Sequence, residues 1–421
     1  MLVTLAYGKY GLPAQFPDDT TLLRPTFVPG LPDEAAAIQE ALRQPLGSPP
    51  LRDVVRPTDC VVVVFSDITR PMPNDRVLPV LLAELAHVPR EQITLLNALA
   101  THRPQTEVEL ERMLGAEVVR SYRVVQHDAW DREQLVHVGE TRFGHPVWLN
   151  RAYVEADVRI VTGLIEPHFF AGFSGGPKAV LPGIAGAETV WANHAAAMIG
   201  HPQATWGVTL GNPIWEEMMD AAALARPALC LNVALNADKA VTDVWAGDWQ
   251  QVHAAGCRAV GERAFVGVAE PFDVVVTTNS GYPLDLNLYQ AVKGMSAAAR
   301  IVRPGGAIVV ASECWDGIPD HGEYKRLLWE AGSPEALLEM LQQPGFFRQD
   351  QWEAQIQALI QQKAAVYLYS DGLPDEDIRQ AWLQPCRDVA ATVRELRVRY
   401  GPRVGVLPEG PQTVPYVQGG V

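Results

Sequence analysis

Val158-Arg-Ile-Val-Thr-Gly-Leu-Ile165 runs directly into Glu166-Pro-His168-Phe-Phe-Ala-Gly-Phe-Ser174-Gly-Gly-Pro-Lys178, and Trp191-Ala-Asn193-His194 follows shortly after. The first segment is rich in β-branched and aliphatic residues, which predicts a buried strand. A Ser-Gly-Gly turn comes next, and then a helical pattern. Strand, glycine turn and helix is an arrangement that aims backbone N–H groups at an anion. Lys178 at that turn adds an amine, and His168 and His194 on either side add acid/base or metal-binding imidazoles. The chemistry is expected here.

Working outward, the same alternation recurs. Further strands are expected at residues 61–65, 93–99, 273–278 and 307–311, with a last one at 404–407. Helices are expected at 75–87, 105–114, 188–198, 250–263, 288–302, 324–331 and 388–400. This predicts an α/β fold of two domains with mostly parallel sheets. The boundary is expected near Glu270-Pro271, which gives an N-terminal domain 1–270 carrying the cofactor and catalytic histidines. A C-terminal domain 271–421 would contribute substrate-side residues, and residues 408–421 would form a surface tail. Polar groups follow the strands: Ser66-Asp67-Ile-Thr69-Arg70, Thr101-His102-Arg103, Glu166-Pro-His168, Asn279-Ser-Gly-Tyr282 and Glu313-Cys-Trp-Asp316. Open α/β sheets bind ligands beyond the carboxyl ends of their strands, so the active site is expected in a crevice between the two domains.

Composition narrows the function classes. An apolar content of 48% over 421 residues supports buried sheets rather than disorder. The net charge of −15 argues against nucleic acid or an anionic membrane as partner. No leader or membrane-span pattern is read at the Met1 end or elsewhere. Five scattered cysteines without a CxxC pair predict a cytoplasmic location and no structural zinc site.

His102, His168 and His194 can supply two proton-transfer groups and one metal ligand, although each alone is equally readable as a structural histidine. Their spacing matches no compact zinc motif. Lys178 does not belong to a P-loop, because Pro177 intrudes and Ala179 stands where a magnesium-binding hydroxyl belongs. A lysine at a helix N-terminus is disfavoured as an ammonium, which points to a covalently modified, nucleophilic Lys178. Arg70 and Lys293 are the candidate clamp for an anionic substrate, with Tyr289 and Lys293 on one helix face at i, i+4. Asp67 and Thr69 either meet sugar hydroxyls or serve as turn residues. Phe169 and Phe170 are expected to pack against apolar neighbours.

Taken together, Ser66-Asp67-Ile-Thr69-Arg70-Pro71, Asn97-Ala-Leu-Ala-Thr101-His102-Arg103-Pro104, Glu166-Pro-His168 through Lys178, Asn193-His194 and Tyr289-Gln290-Ala-Val-Lys293 resemble the nickel-dependent lactate racemase family, in order and spacing over most of the chain. The resemblance implies a nickel-pincer nucleotide, a pyridinium mononucleotide with sulfur donors and a carbon bound to Ni(II). It implies that Lys178 carries this nucleotide covalently and that His194 is the protein ligand to nickel. His102 and His168 correspond to the catalytic bases, and Arg70, Tyr289, Gln290 and Lys293 to the substrate-side polar group. The Ser174-Gly175-Gly176 turn is assigned to the nucleotide phosphate, with Asp67 and Thr69 nearby. The implied reaction interconverts D- and L-2-hydroxy acids, lactate first, by hydride transfer through a 2-keto acid. The implied partners are a small 2-hydroxy carboxylate and cofactor-maturation proteins. Two other readings compete: a metal-dependent hydrolase using His102, His168 and His194, and a non-catalytic binder of a nucleotide or hydroxy acid.

Overall fold

The computed structural model describes residues 1–320 and 322–419, and it divides into two units. The first comprises Phe27–His194 and Pro202–Gly261, the second Met1–Thr26, Ala195–His201 and Glu262–Val421. Both are α/β, with mostly parallel sheets as expected.

The first unit is built on a six-stranded sheet in the order Val241–Gly247, Leu229–Leu235, Val158–Leu164, Val61–Ser66, Ile93–Ala98, Arg123–Gln126. All neighbours are parallel except the first pair, which is antiparallel. The central strand reads Val-Val-Val-Val-Phe without alternation because both faces are covered: Val62, Val63, Val64 and Phe65 are 0% exposed. Each such side chain contributes roughly 1.5–3 kcal/mol on burial. After Val61–Ser66 the chain moves to one side of the sheet, through Ile93–Ala98 and Arg123–Gln126. It then returns to the other side at Val158–Leu164. The two strands that flank this reversal leave a crevice at their carboxyl ends.

The second unit repeats the principle with Gln384–Cys386, Ala364–Tyr369, Val302–Ala311, Phe272–Thr278, Val404–Leu407 and Thr21–Leu22, all parallel. Thr21–Leu22 pairs with Val404–Leu407, so the N-terminal residues belong to this unit and not to a continuous 1–270 domain. A two-residue edge strand carries no periodic signal, which is why the sequence did not place it. The expected tail is also partly structured: Val414–Val417 pairs in parallel with Phe265–Val268, and Val414 is 0% exposed. Residues 420 and 421 lie outside the described residues. The helix expected at 188–198 stops at Asn193, with His194 as its C-cap, and a separate turn covers Ala196–Ile199. No helix among the described residues is long and apolar enough to cross a membrane.

Packing in the first unit also restricts charge. His127 is 3% exposed; its Nε2 donates to the Ala185 carbonyl at 2.9 Å and its Nδ1 accepts from the Asn150 amide at 3.1 Å. Protonating Nδ1 would set two donors against each other, and burial brings the ring's pKa down to about 4. This lies below the unfolded value of about 6.5, so the unfolded chain takes up the proton first. The stability His127 contributes is therefore complete above about pH 6.5 and is lost as the pH falls toward 4. The urea midpoint should fall between about pH 7 and about pH 4.5. His127→Gln should flatten that dependence by up to about 1.4 kcal/mol per pH unit, and an unchanged slope would assign the effect to other groups.

Candidate active site

Parallel neighbours end on the same edge of a sheet. Val158–Leu164, Val61–Ser66 and Ile93–Ala98 are adjacent and parallel, so the loops after them meet. They line an open cleft that includes Asp67, Arg70, His102, Glu166, Ser174 and Lys178.

Asp67 and His102 form the best-defined pair. The Asp67 side chain is 3% exposed and its Oδ2 accepts from His102 Nδ1 at 2.7 Å. Its Oδ1 accepts from the Thr69 hydroxyl at 2.7 Å. Burial alone would raise the Asp67 pKa, but His102, then Arg70 and Thr69, hold it below the usual carboxylate value. An ionised Asp67 keeps the hydrogen on His102 Nδ1 and makes Nε2 the basic nitrogen. Asp67 and Thr69 are thus turn residues engaged with each other and with His102, while Arg70 N donates to Asp67 O at 3.2 Å. In this arrangement they orient the His102 ring, where the sequence left open a contact to sugar hydroxyls.

The glycine turn differs more sharply from expectation. Ser174 N donates to Glu166 O, and Gly176 N donates to Asn232 Oδ1 at 2.8 Å. The Ser174 hydroxyl donates to Leu164 O at 2.7 Å and accepts from Glu166 N at 2.9 Å. The Ser174 and Gly176 N–H groups are thus committed inside the fold. What the turn does is carry Lys178 past close neighbours. Gly175 and Gly176 have φ of 75° and 47°, and a Cβ at Gly176 would lie 2.6 Å from His253. His253 is buried, its Nε2 donates to Ser174 O at 3.3 Å, and burial lowers its pKa to about 4. Asn232 and His253 were missed in the sequence. The one available signal was Asn232, a polar residue within the apolar run Leu229-Cys-Leu-Asn-Val-Ala-Leu235.

Phe170 is the centre of the remaining group. Its ring meets His168 edge-on at 4.5 Å and His194 edge-on at 5.2 Å, and Lys178 Nζ lies 5.7 Å from its centroid. It also packs against Phe169 at 4.7 Å, and Phe169 against Trp206 at 6.0 Å, the apolar contacts the sequence predicted. His168, in the short hairpin Pro167–His168/Gly172–Phe173, accepts from Ala171 N at its Nδ1 at 3.3 Å. His194 donates from Nδ1 to Val190 O at 3.1 Å. Burial first, and the charge of Lys178 second, bring its pKa to about 3, so the ring is neutral near pH 7. A neutral imidazole anchored through Nδ1–H presents Nε2 as its lone-pair nitrogen, the form that binds a metal.

Tyr289, Gln290 and Lys293 lie in the second unit, on the helix Leu288–Ala299 that follows Phe272–Thr278. Asn287 caps it by accepting from Gln290 N at 3.1 Å, and Lys293 Nζ donates to Gln290 Oε1 at 2.7 Å. Trp352 Nε1 donates to Tyr289 Oη at 2.9 Å, a partner the sequence did not indicate. Among the described residues no three His, Cys, Asp or Glu side chains are grouped to hold a metal, so the hydrolase reading finds no ligand set.

Known proteins bear on this arrangement. The lactate racemase N-terminal domain matches residues 7–207, and the lactate racemase C-terminal domain matches 268–413. The lactate racemase of Thermoanaerobacterium thermosaccharolyticum is 35% identical over 418 residues, 97% of each chain. That of Lactiplantibacillus plantarum is 36% identical over 381 residues, 90% of each. The lactate racemase apoprotein structure from Thermoanaerobacterium thermosaccharolyticum gives a TM-score of 0.92 at 33% identity, covering 99% of this chain and 100% of that one. A crystal structure from Thermotoga maritima, 20% identical and covering 93% of this chain and 100% of that one, shares the fold with a TM-score of 0.73. With both domains matched and near-complete coverage of its relatives, the chain belongs to the lactate racemase family and is an enzyme of the isomerase class.

Proposed function

We propose that this protein interconverts D- and L-lactate, with a nickel-pincer nucleotide joined to Lys178 and His194 as the protein ligand to Ni(II). The observation that carries this reading is the pairing of a neutral, Nδ1-anchored His194 with Lys178 across Phe170. The donor set fits. One imidazole suffices where the other donors come with the nucleotide, and nickel(II) suits a mixed sulfur and imidazole field. When bound, the nucleotide supplies the hydride acceptor that allows a 2-keto acid intermediate. Lactate is the first substrate because it is what the two named relatives act on; other 2-hydroxy acids belong to the same screen.

The chain's own residues handle the proton and the carboxylate. His102 Nε2 takes the substrate hydroxyl proton, and Asp67 at Nδ1 stabilises the imidazolium that results. His168 is assigned the base role for the opposite hand, whose hydroxyl faces another direction; its Nδ1 accepts from Ala171 N, so taking a proton requires that contact to open. Arg70 holds the substrate carboxylate through its two-pronged guanidinium, and Tyr289, Gln290 and Lys293 are the substrate-side candidates carried by the second unit. The five cysteines are free thiols, which supports a reducing cytoplasm as the location. Cofactor-maturation proteins are the macromolecular partners this reading requires.

The test is intact and peptide mass of the protein co-expressed with a pincer-nucleotide biosynthetic pathway, with nickel assayed on the same sample. An adduct on Lys178 with bound nickel is expected, and Lys178→Ala should lose both. An unmodified, nickel-free chain beside a known racemase modified in the same host would overturn the cofactor assignment. Chiral chromatography of lactate then reads the activity; tight binding without loss of the α-hydrogen isotope would favour the binder instead. Asp67→Asn should lower kcat by about 10²-fold or more while leaving the adduct in place, because an amide donor at Nδ1 reverses the His102 tautomer. Retention of most activity in that variant would remove His102 from the role of base.

A further inference from the structure

Several buried carboxylates lie outside the residues discussed so far, and Glu217 is the one nearest in the chain of contacts to His194. Glu217, on the helix Pro213–Ala225, is 0% exposed. Its Oε1 accepts from His145 Nδ1 at 2.6 Å and from the Thr141 hydroxyl at 2.9 Å. Its Oε2 accepts from the Asn193 amide at 2.9 Å. Burying a carboxylate is costly unless donors surround it.

What the carboxylate orients is the end of one helix. Asn193 is 0% exposed and is the last residue of Ala187–Asn193, and its amide also donates to Ile214 O at 3.2 Å. His194 follows directly as the C-cap, with its backbone N and its Nδ1 both donating to Val190 O. The same helix is held further up, where the Thr189 hydroxyl accepts from Trp148 N at 2.9 Å and donates to Pro146 O at 2.9 Å. Thr141, His145, Pro146 and Trp148 all belong to the hairpin formed by Leu135–Glu140 and Pro146–Asn150 or to its turn. The ring of His194 is thus aimed from Val190 and its peptide from Asn193, and Glu217 ties Asn193 to the hairpin. All three partners of Glu217 present donors, so only an acceptor-only group satisfies them together. An amide there would set its NH₂ against a donor.

We infer that Glu217 is the positioning residue for His194, acting through Asn193; this rests on the reading of His194 as the nickel ligand. Groups behind a metal ligand fix its ring and are worth about 10- to 100-fold in metal affinity. Glu217→Gln is the test. Glu84→Gln serves as the control for general loss of stability, since Glu84 is a second buried carboxylate of the same unit, paired with Arg43 and Arg52.

The first readout needs no cofactor: long-range ¹H–¹⁵N spectra of the histidine rings in the full-length apoprotein. Wild type and Glu84→Gln should show one neutral, Nδ1-protonated His194, whereas Glu217→Gln should show shifted or doubled His194 signals. The second readout is the rate of nickel loss to a chelator from the co-expressed holoprotein, expected to rise about 10- to 100-fold in Glu217→Gln alone. Should Glu217→Gln not fold, Asn193→Ala breaks the same link while leaving the contacts with His145 and Thr141 in place, and it should alter the His194 signals likewise. His194 signals superimposable on wild type in the folded variant would overturn the inference. A wild-type protein that acquires no nickel would overturn the functional reading, and the apoprotein spectra would still decide the role of Glu217.

Discussion

The hydrogen bond from Gly176 N to Asn232 Oδ1 is the constraint on which the candidate site depends. Asn232 sits on the strand Leu229–Leu235, in parallel register opposite Gly163 of Val158–Leu164. The turn that leaves the second strand is therefore fastened back onto the first. His253 closes the other side, bonded to Ser174 O and packed so tightly on Gly176 that no side chain fits there. Lys178 follows within two residues, so its backbone is placed by the sheet rather than by a mobile loop. Under the proposed role of Lys178 as cofactor attachment point, such preorganisation would fix the orientation of what it carries.

Three histidines of one unit acquire different properties from what lies at Nδ1. For His102 it is the buried carboxylate of Asp67, which holds the ring hydrogen on Nδ1 and leaves the Nε2 lone pair outward. For His194 it is the Val190 carbonyl, while burial and the charge of Lys178 keep the ring neutral and suited to metal binding. For His168 it is the Ala171 N–H, which places the hydrogen of the neutral ring on Nε2. One side-chain type thus takes distinct tautomers because the backbone and one carboxylate choose them. The chain carries a net charge of −15, yet Arg70 and Lys178 line the cleft. Asp67 and Glu166 line it as well, so the field an anionic substrate would meet depends on where two cations stand among two carboxylates.

Much of this was legible in the residues. Apolar runs with polar ends marked Val61–Ser66, Ile93–Ala98, Val158–Leu164, Phe272–Thr278 and Val404–Leu407, because a strand buried on both faces tolerates little else. His102, His168, Lys178 and His194 stood out for their position after strands and around the glycine turn. The less legible features depend on contacts between residues distant in sequence. Thr21–Leu22 is too short for periodicity and joins a sheet some 380 residues away in the chain. The commitment of the Ser174–Gly176 backbone to Glu166 and Asn232 is invisible until the strands are side by side. Phe170 reads as an ordinary core residue until His168 and His194 appear at its edges.

By itself the sequence determined the α/β class, the parallel character of the sheets, the family, and the list of reactive side chains, since those follow from local composition, spacing and residue chemistry. Only the tertiary structure decided what each reactive group does to the next: that Asp67 orients His102, that the glycine turn presents Lys178 through bonds directed inward, and that His194 is neutral. The physical reason is that tautomer, burial and donor–acceptor pairing are properties of neighbours, and the neighbours here are brought together by strand order rather than by the order of residues along the chain.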